Sequence, residues 1–171
     1  MTTVTLLLLA RVLHFLGGVI WAGSMFALSF AIIPIGARHA DEGAGRWTAM
    51  AARRLGPMSG IAALVTVLSG IYLFATLHAG DTSAGGIVLG TGAIAAVLSF
   101  LVGALIGRPI GLRLAKLQSE PSNPSAETMA QLASLRRRAA WSSRVAGILL
   151  GLAVLSMAAF RYAPALAGGA S

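Results

Sequence analysis

Apolar residues gather in four long stretches, from about 4 to 35, 58 to 77, 87 to 106 and 145 to 165, with charged and turn-forming residues between them. Crossing about 30 Å of hydrocarbon takes roughly 20 helical residues, and each stretch is long enough. In lipid the backbone N–H and C=O groups must bond within their own segment, so each stretch is read as an α-helix. The predicted fold class is all-α: an integral membrane four-helix bundle, with 1–171 as a single membrane domain. The first stretch exceeds a perpendicular crossing, so it tilts or projects. Arg11 and His14 interrupt it, and Pro34 marks a kink or the exit from the membrane.

The polar segments set the orientation. Of the 13 Lys and Arg, all but Arg11 and Arg161 lie between Arg38 and Arg144. The segment from about 36 to 57 holds Arg38, Arg46, Arg53 and Arg54. The segment from about 107 to 143 holds Arg108, Arg113, Lys116, Arg136, Arg137 and Arg138. Between the second and third stretches stands "HAGDTSAGG", without Lys or Arg. The excess of basic residues on cytoplasmic loops then predicts both basic loops in the cytoplasm and both termini outside. Trp47 and Trp141 fall at the inner interface and Tyr162 at the outer one. The net charge of +8 is explained by this placement, which orients the chain and attracts anionic lipid head groups; nucleic acid is not an expected partner. "SEPSNPS" predicts a turn with a helix start at Ser125, running towards the fourth span, and "RPIGLRLAKLQ" extends the third span into the cytoplasm.

Composition narrows the chemistry. The chain is 57% hydrophobic and 11% charged, against about 25% charged in soluble domains, too little polar surface for a water-soluble globule. There is no Cys, which excludes disulfides, thiolate metal sites, iron–sulfur clusters and Cys nucleophiles. The N-terminus lacks the basic start of an ordinary signal peptide. No P-loop, dinucleotide fingerprint or Ser/His/Asp arrangement is present. Small residues four apart (Gly86/Gly90, Gly103/Gly107, Gly147/Gly151) allow close helix approach, within one chain, in a homodimer or against a larger membrane complex. "RRLGPMSG" before the second span and "RRRAAWSS" before the fourth hint at a two-fold repeat of helical hairpins.

An ionisable residue inside a span is costly and is a functional candidate by default. The candidates are Arg11, His14 and Arg161. At 100° per residue Arg11, His14, Gly18, Trp21 and Met25 fall on one stripe, expected to face the bundle interior. Gly17 and Gly18 leave a gap beside the imidazole that suits a flat apolar ligand. Imidazole is a common metal ligand and a usual axial ligand to haem iron; the plain alternative is a hydrogen bond to a neighbouring helix. Met157 and Arg161, four apart, share a face of the fourth span. With His14 and Met157 each about a turn deeper than an Arg, the set matches a b-type haem held edge-on. His14 and Met157 would be metal ligands and Arg11 and Arg161 would pair with the propionates; the alternatives are a snorkelling Arg and a packing Met. His78, close to Asp81 at the outer end of the second span, reads as a solvated loop residue, with a second ligand or proton relay as runner-up. Asp41, Glu42, Glu120 and Glu127 lie in the basic loops, so no carboxylate pair sits at membrane depth.

"LHFLGGVIWAGSMF…IIP", "ARRLGPMSGIAALVTVLSGIYLF" and "MAAFRY" together resemble a broad group of small bacterial four-helix membrane proteins. The group includes the copper-resistance D-like proteins and the HemJ-type protoporphyrinogen oxidases. The most specific part is His14 followed by Trp21 and Gly23. The resemblance implies a bacterial plasma (inner) membrane protein. In the HemJ type the equivalent His is implied to bind haem b, with a Lys partner. His14 matches; the single Lys, Lys116, lies in a basic loop, and the Trp and Lys expected at the start of the third span are absent. The expected function is haem b binding for electron transfer or for oxidation of a membrane-soluble substrate, with copper transport or resistance second and an accessory-subunit role third.

Overall fold

The computed structural model describes residues 2–39, 43–119 and 125–168. Asp41, Glu42, Glu120 and most of the "SEPSNPS" turn lie outside the described residues. The four apolar stretches are four helices, and nothing among the described residues is a strand. α1 (Thr3–Phe26) passes through a π-helical segment (Ala27–Ile32) into α2 (Ile33–Arg38). α3 (Ala44–Leu77) returns. α4 (Ala84–Leu101) passes through a second π segment (Val102–Gly107) into α5 (Arg108–Ser119). α6 (Ala126–Ala159) returns, and α7 (Ala163–Gly168) closes the chain. The chain is a multi-pass membrane protein by the length and apolarity of these helices.

Among the described residues, the segment expected as a loop from about 36 to 57 is helical apart from His39 and Gly43, and Gly43 takes a left-handed φ of 79°. α5 and the first half of α6 likewise replace much of the second basic loop. The four continuous helices run 34 to 36 residues, about 50 Å at 1.5 Å per residue, some 20 Å more than the hydrocarbon core. Ser125 starts α6 as expected: its Oγ accepts the Thr128 N–H at 3.2 Å.

Both π segments have the same cause. Pro34 and Pro109 each stand second after the segment, and a proline ring collides with the carbonyl four residues earlier. Those carbonyls belong to Phe30 and Leu105, inside the π segments, where the wider turn relieves the collision. The two sites are copies: at a constant spacing of 75 positions (34 to 109), Gly17, Ser24, Pro34, Ile35, Gly36 and Arg38 match Gly92, Ser99, Pro109, Ile110, Gly111 and Arg113. The hairpin repeat hinted at by the arginine runs is therefore carried by the odd-numbered spans.

Each hairpin packs chiefly within itself, α1 on α3 and α4 on α6. Glycine makes this possible. A Cβ on Gly17 would lie 2.6 Å from Thr66 Oγ1 and 3.1 Å from the Ala62 carbonyl; one on Gly92 would lie 2.5 Å from Ser156 Cβ and 3.3 Å from the Ala153 carbonyl. Gly36 is closed against Thr48 in the same way. In lipid, where apolar burial drives nothing, such close packing and interhelical hydrogen bonds hold helices together. Ser99 Oγ adds one, donating to the Ala146 carbonyl at 2.8 Å. Between the hairpins the core is centred on one indole: Trp21, 3% exposed, clusters with Ala62, Ala63, Ala95, Ala96, Leu150 and Ala153. Gly147 and Gly151 receive the rings of Phe30 and Phe26 rather than a helix backbone, and Gly103 has open space around it.

Candidate functional site

α1 and α3 run antiparallel in a register fixed by three contacts: Gly36 to Thr48, Gly17 to Thr66, and His14 to Gly70. The register brings His14 onto α3 in the half of the bundle away from the arginines. Its Nδ1 lies 2.9 Å from the Thr66 carbonyl oxygen. A carbonyl only accepts, so Nδ1 carries the hydrogen and donates it. In the neutral ring the Nε2 lone pair is then free. Gly70 makes the seat: a Cβ there would lie 2.8 Å from His14 Cε1 and 3.0 Å from Nδ1. Thr66 holds its own hydroxyl on the Ala62 carbonyl at 2.7 Å, and Ser69 Oγ also donates to the Thr66 carbonyl, at 3.2 Å. Sequence reasoning missed Thr66 and Gly70. Their four-residue spacing on one face of α3 was the available signal, submerged among many small residues.

The expected stripe divides. His14 is half-buried; Gly17, Trp21 and Leu28 are buried and face the bundle. Met25 is partly buried against the Trp21 cluster and serves as core packing. Arg11 does not face the interior. It is exposed beside Leu8, Val12, Phe15 and Leu16, around a shallow apolar depression of about 390 Å³. The reason is that the N-terminal half of α1 packs chiefly on α3 and leaves its other faces uncovered, so a cation there can extend along the helix towards head groups.

The gap expected at Gly17 is also not a ligand slot, because Thr66 fills it. Gly18 remains open on its outer side, with only Thr66 Cγ2 at 3.8 Å. Met157 is half-buried on α6, and His14 turns its Nδ1 to α3. Arg161 is exposed, its guanidinium carbon 5.9 Å from the ring centre of its neighbour Phe160. Of the residues expected to hold a haem, His14 would offer Nε2 and Gly18 bare backbone beside it. Among the described residues no three His, Asp or Glu side chains gather as a metal group.

His78 caps α3 and closes the same end of the bundle, away from the arginine-rich segments. Its ring meets Phe160 edge-on at 5.9 Å, and its Nδ1 is 3.7 Å from Asp81 Oδ2. Asp81 Oδ1 accepts the Ser83 N–H at 3.0 Å, and Ser83 Oγ accepts the Gly86 N–H at 3.1 Å, capping α4. The hydrogen bonds from Ser83, with a smaller contribution from His78, hold the Asp81 carboxyl below its ordinary range. Gly86 lies so close under Asp81 that any Cβ would strike its backbone and carboxyl carbon. This is the solvated loop pair expected from the sequence, built as a helix cap. Comparison with protein-family models, characterised proteins and solved structures returns no match for the chain.

Proposed function

We propose that this chain is a membrane protein of b-type haem in which His14 Nε2 is an axial ligand, working in electron transfer or in oxidation of a membrane-soluble substrate. The reading also keeps the chain's resemblance to the HemJ-like group. One observation carries it: the Nδ1–H of His14 is donated to the Thr66 carbonyl at 2.9 Å. A ligating imidazole typically hands its other N–H to a carbonyl in this way, which fixes the tautomer and makes the ligating nitrogen more basic. Haem supplies one-electron chemistry at its iron and brings four nitrogen donors of its own, so one imidazole suffices to hold it. A lone copper ion asks the protein for several donors, which ranks copper second. Arg11, three residues outward from His14 and exposed, is the cation available to a propionate. Gly18 keeps a flat surface beside the imidazole, and Gly70 keeps the ring at its register.

The test is spectroscopic. The protein is expressed with haem supplementation, purified in detergent and measured as a reduced-minus-oxidised spectrum. Soret and α bands are expected in the wild type and are lost in His14→Ala. A wild-type protein without either band ends the reading. If it then co-purifies with other membrane subunits, the accessory-subunit role takes its place.

A further inference from the structure

The two hairpins share a π segment in their first helix but differ in the second. In the α1–α3 hairpin the register set by Gly36–Thr48 and Gly17–Thr66 places Pro57, the proline inside α3, opposite the start of the Ala27–Ile32 π segment. In the α4–α6 hairpin the contacts Gly92–Ser156 and Ser99–Ala146 place "AAWSSR" of α6 opposite the second π segment, and that stretch has no proline. One hairpin thus has a break in the regular hydrogen-bond ladder of both helices at one depth. The other has it in one helix only. Helix bends localise at prolines and π segments because the ladder is already interrupted there.

We propose that the π segment and Pro57 form a hinge across the α1–α3 hairpin, on which its outer half, carrying His14, swings as one body against a stiffer α4–α6 hairpin. Contacts within the moving half are tight and local: Gly17 on Thr66 and Ala62, and His14 on Thr66 and Gly70. Contacts across the seam are of a kind that can part. Trp21 sits among alanines and Leu150, the Phe26 and Phe74 rings reach Gly151 and Gly90 Cβ positions only at 3.7 and 3.9 Å, and the His78 and Phe160 rings touch edge to face. At the hinge itself the hairpins are fastened by Ser29, whose Oγ is 2.6 Å from Ser143 Oγ and donates to the Ser143 carbonyl at 2.9 Å. The hairpins are therefore pinned at the level of the hinge and free to part beyond it. The swing sets how much of His14 and Trp21 the bilayer reaches, whatever they bind.

The chain has no Cys, so spin-label pairs can be placed at will on exposed positions. Leu8→Cys with Leu155→Cys spans the seam, and Leu8→Cys with Leu77→Cys lies within the swinging half. All three positions are exposed. In lipid nanodiscs the cross-seam distance distribution is expected to be roughly two-fold broader than the pair within the hairpin, as a collective hinge motion requires. Pro34→Ala with Pro57→Ala restores both ladders and should narrow the cross-seam distribution to the other's width. Equal widths in the wild-type background overturn the hinge. So does a broad Leu8–Leu77 distribution, which would mean that α1 peels away alone. If the double proline variant fails to fold, the wild-type comparison decides.

Discussion

Gly70→Ala tests the seat of His14 most directly. The added methyl would stand 2.8 Å from Cε1 and 3.0 Å from Nδ1 of the imidazole, inside the distance any real Cβ contact allows. The ring must leave, or α3 must move, and the Nδ1–H···O bond to Thr66 goes with either. Overpacking costs about 1–3 kcal/mol. The interhelical hydrogen bond is worth about 0.6 kcal/mol in a membrane, and up to about 1.7. Against these, alanine is favoured over glycine inside a helix by about 1 kcal/mol. The net expectation is a loss of roughly 1–3 kcal/mol, taking these terms together. In a His14→Ala background the methyl meets empty space, so only the propensity term survives and the same substitution stabilises by up to about 1 kcal/mol. The assay is equilibrium unfolding in mixed micelles for the four proteins of this double-mutant cycle. A change of sign between backgrounds is required. Equal destabilisation in both would show that Gly70 is needed for something other than the imidazole, and the account of the seat would fall.

Trp21→Ala removes the largest side chain of the buried cluster between the hairpins. It is expected to cost about 3–5 kcal/mol, the range for emptying an aromatic site that cannot collapse, and thermal unfolding in detergent reads it. A loss under about 1 kcal/mol would mean that the alanines close the hole themselves. Asp81 gives a pH effect confined to the loop between α3 and α4. Its carboxyl is held below the ordinary value of 3.8, so its contribution is present above that value and is lost as pH falls through the lowered one. Amide exchange at the start of α4 should therefore speed up below pH 3.8 in the wild type. In Asp81→Asn it should show no such step, and a step of the same size there would assign the effect elsewhere.

The four spans were legible because apolar length is written residue by residue along the chain. The cap at Ser125 was legible for the same local reason. Partners across the bundle were not. His14 stood out as costly in lipid, but its hydrogen bond goes to a backbone carbonyl, and every residue offers one. Thr66 and Gly70 acquire their role only once the register of α3 on α1 is known. Arg11 was placed on the wrong side by a helical wheel that treats α1 as enclosed. Trp21, ten residues on, does face the core, but at Arg11 the helix has one neighbour and the wheel has no inside. The π segments follow from Pro34 and Pro109, yet a proline alone predicts a kink as readily as a widened turn. The glycines misled in an instructive way: Gly17 reads as space, and in the bundle it is where another helix already stands.

The helices outrun the hydrocarbon, and this splits the molecule between two solvents. At the arginine end α5 lies along the first half of α6, where Leu132 and Leu135 are buried. That packing is surrounded by water and is held by the ordinary hydrophobic effect, which urea weakens. The Trp21 layer is surrounded by acyl chains, which a water-borne denaturant does not enter. Urea should therefore strip the overhang first and leave the inner layer standing, so that a denaturation curve read as one transition would report on neither part.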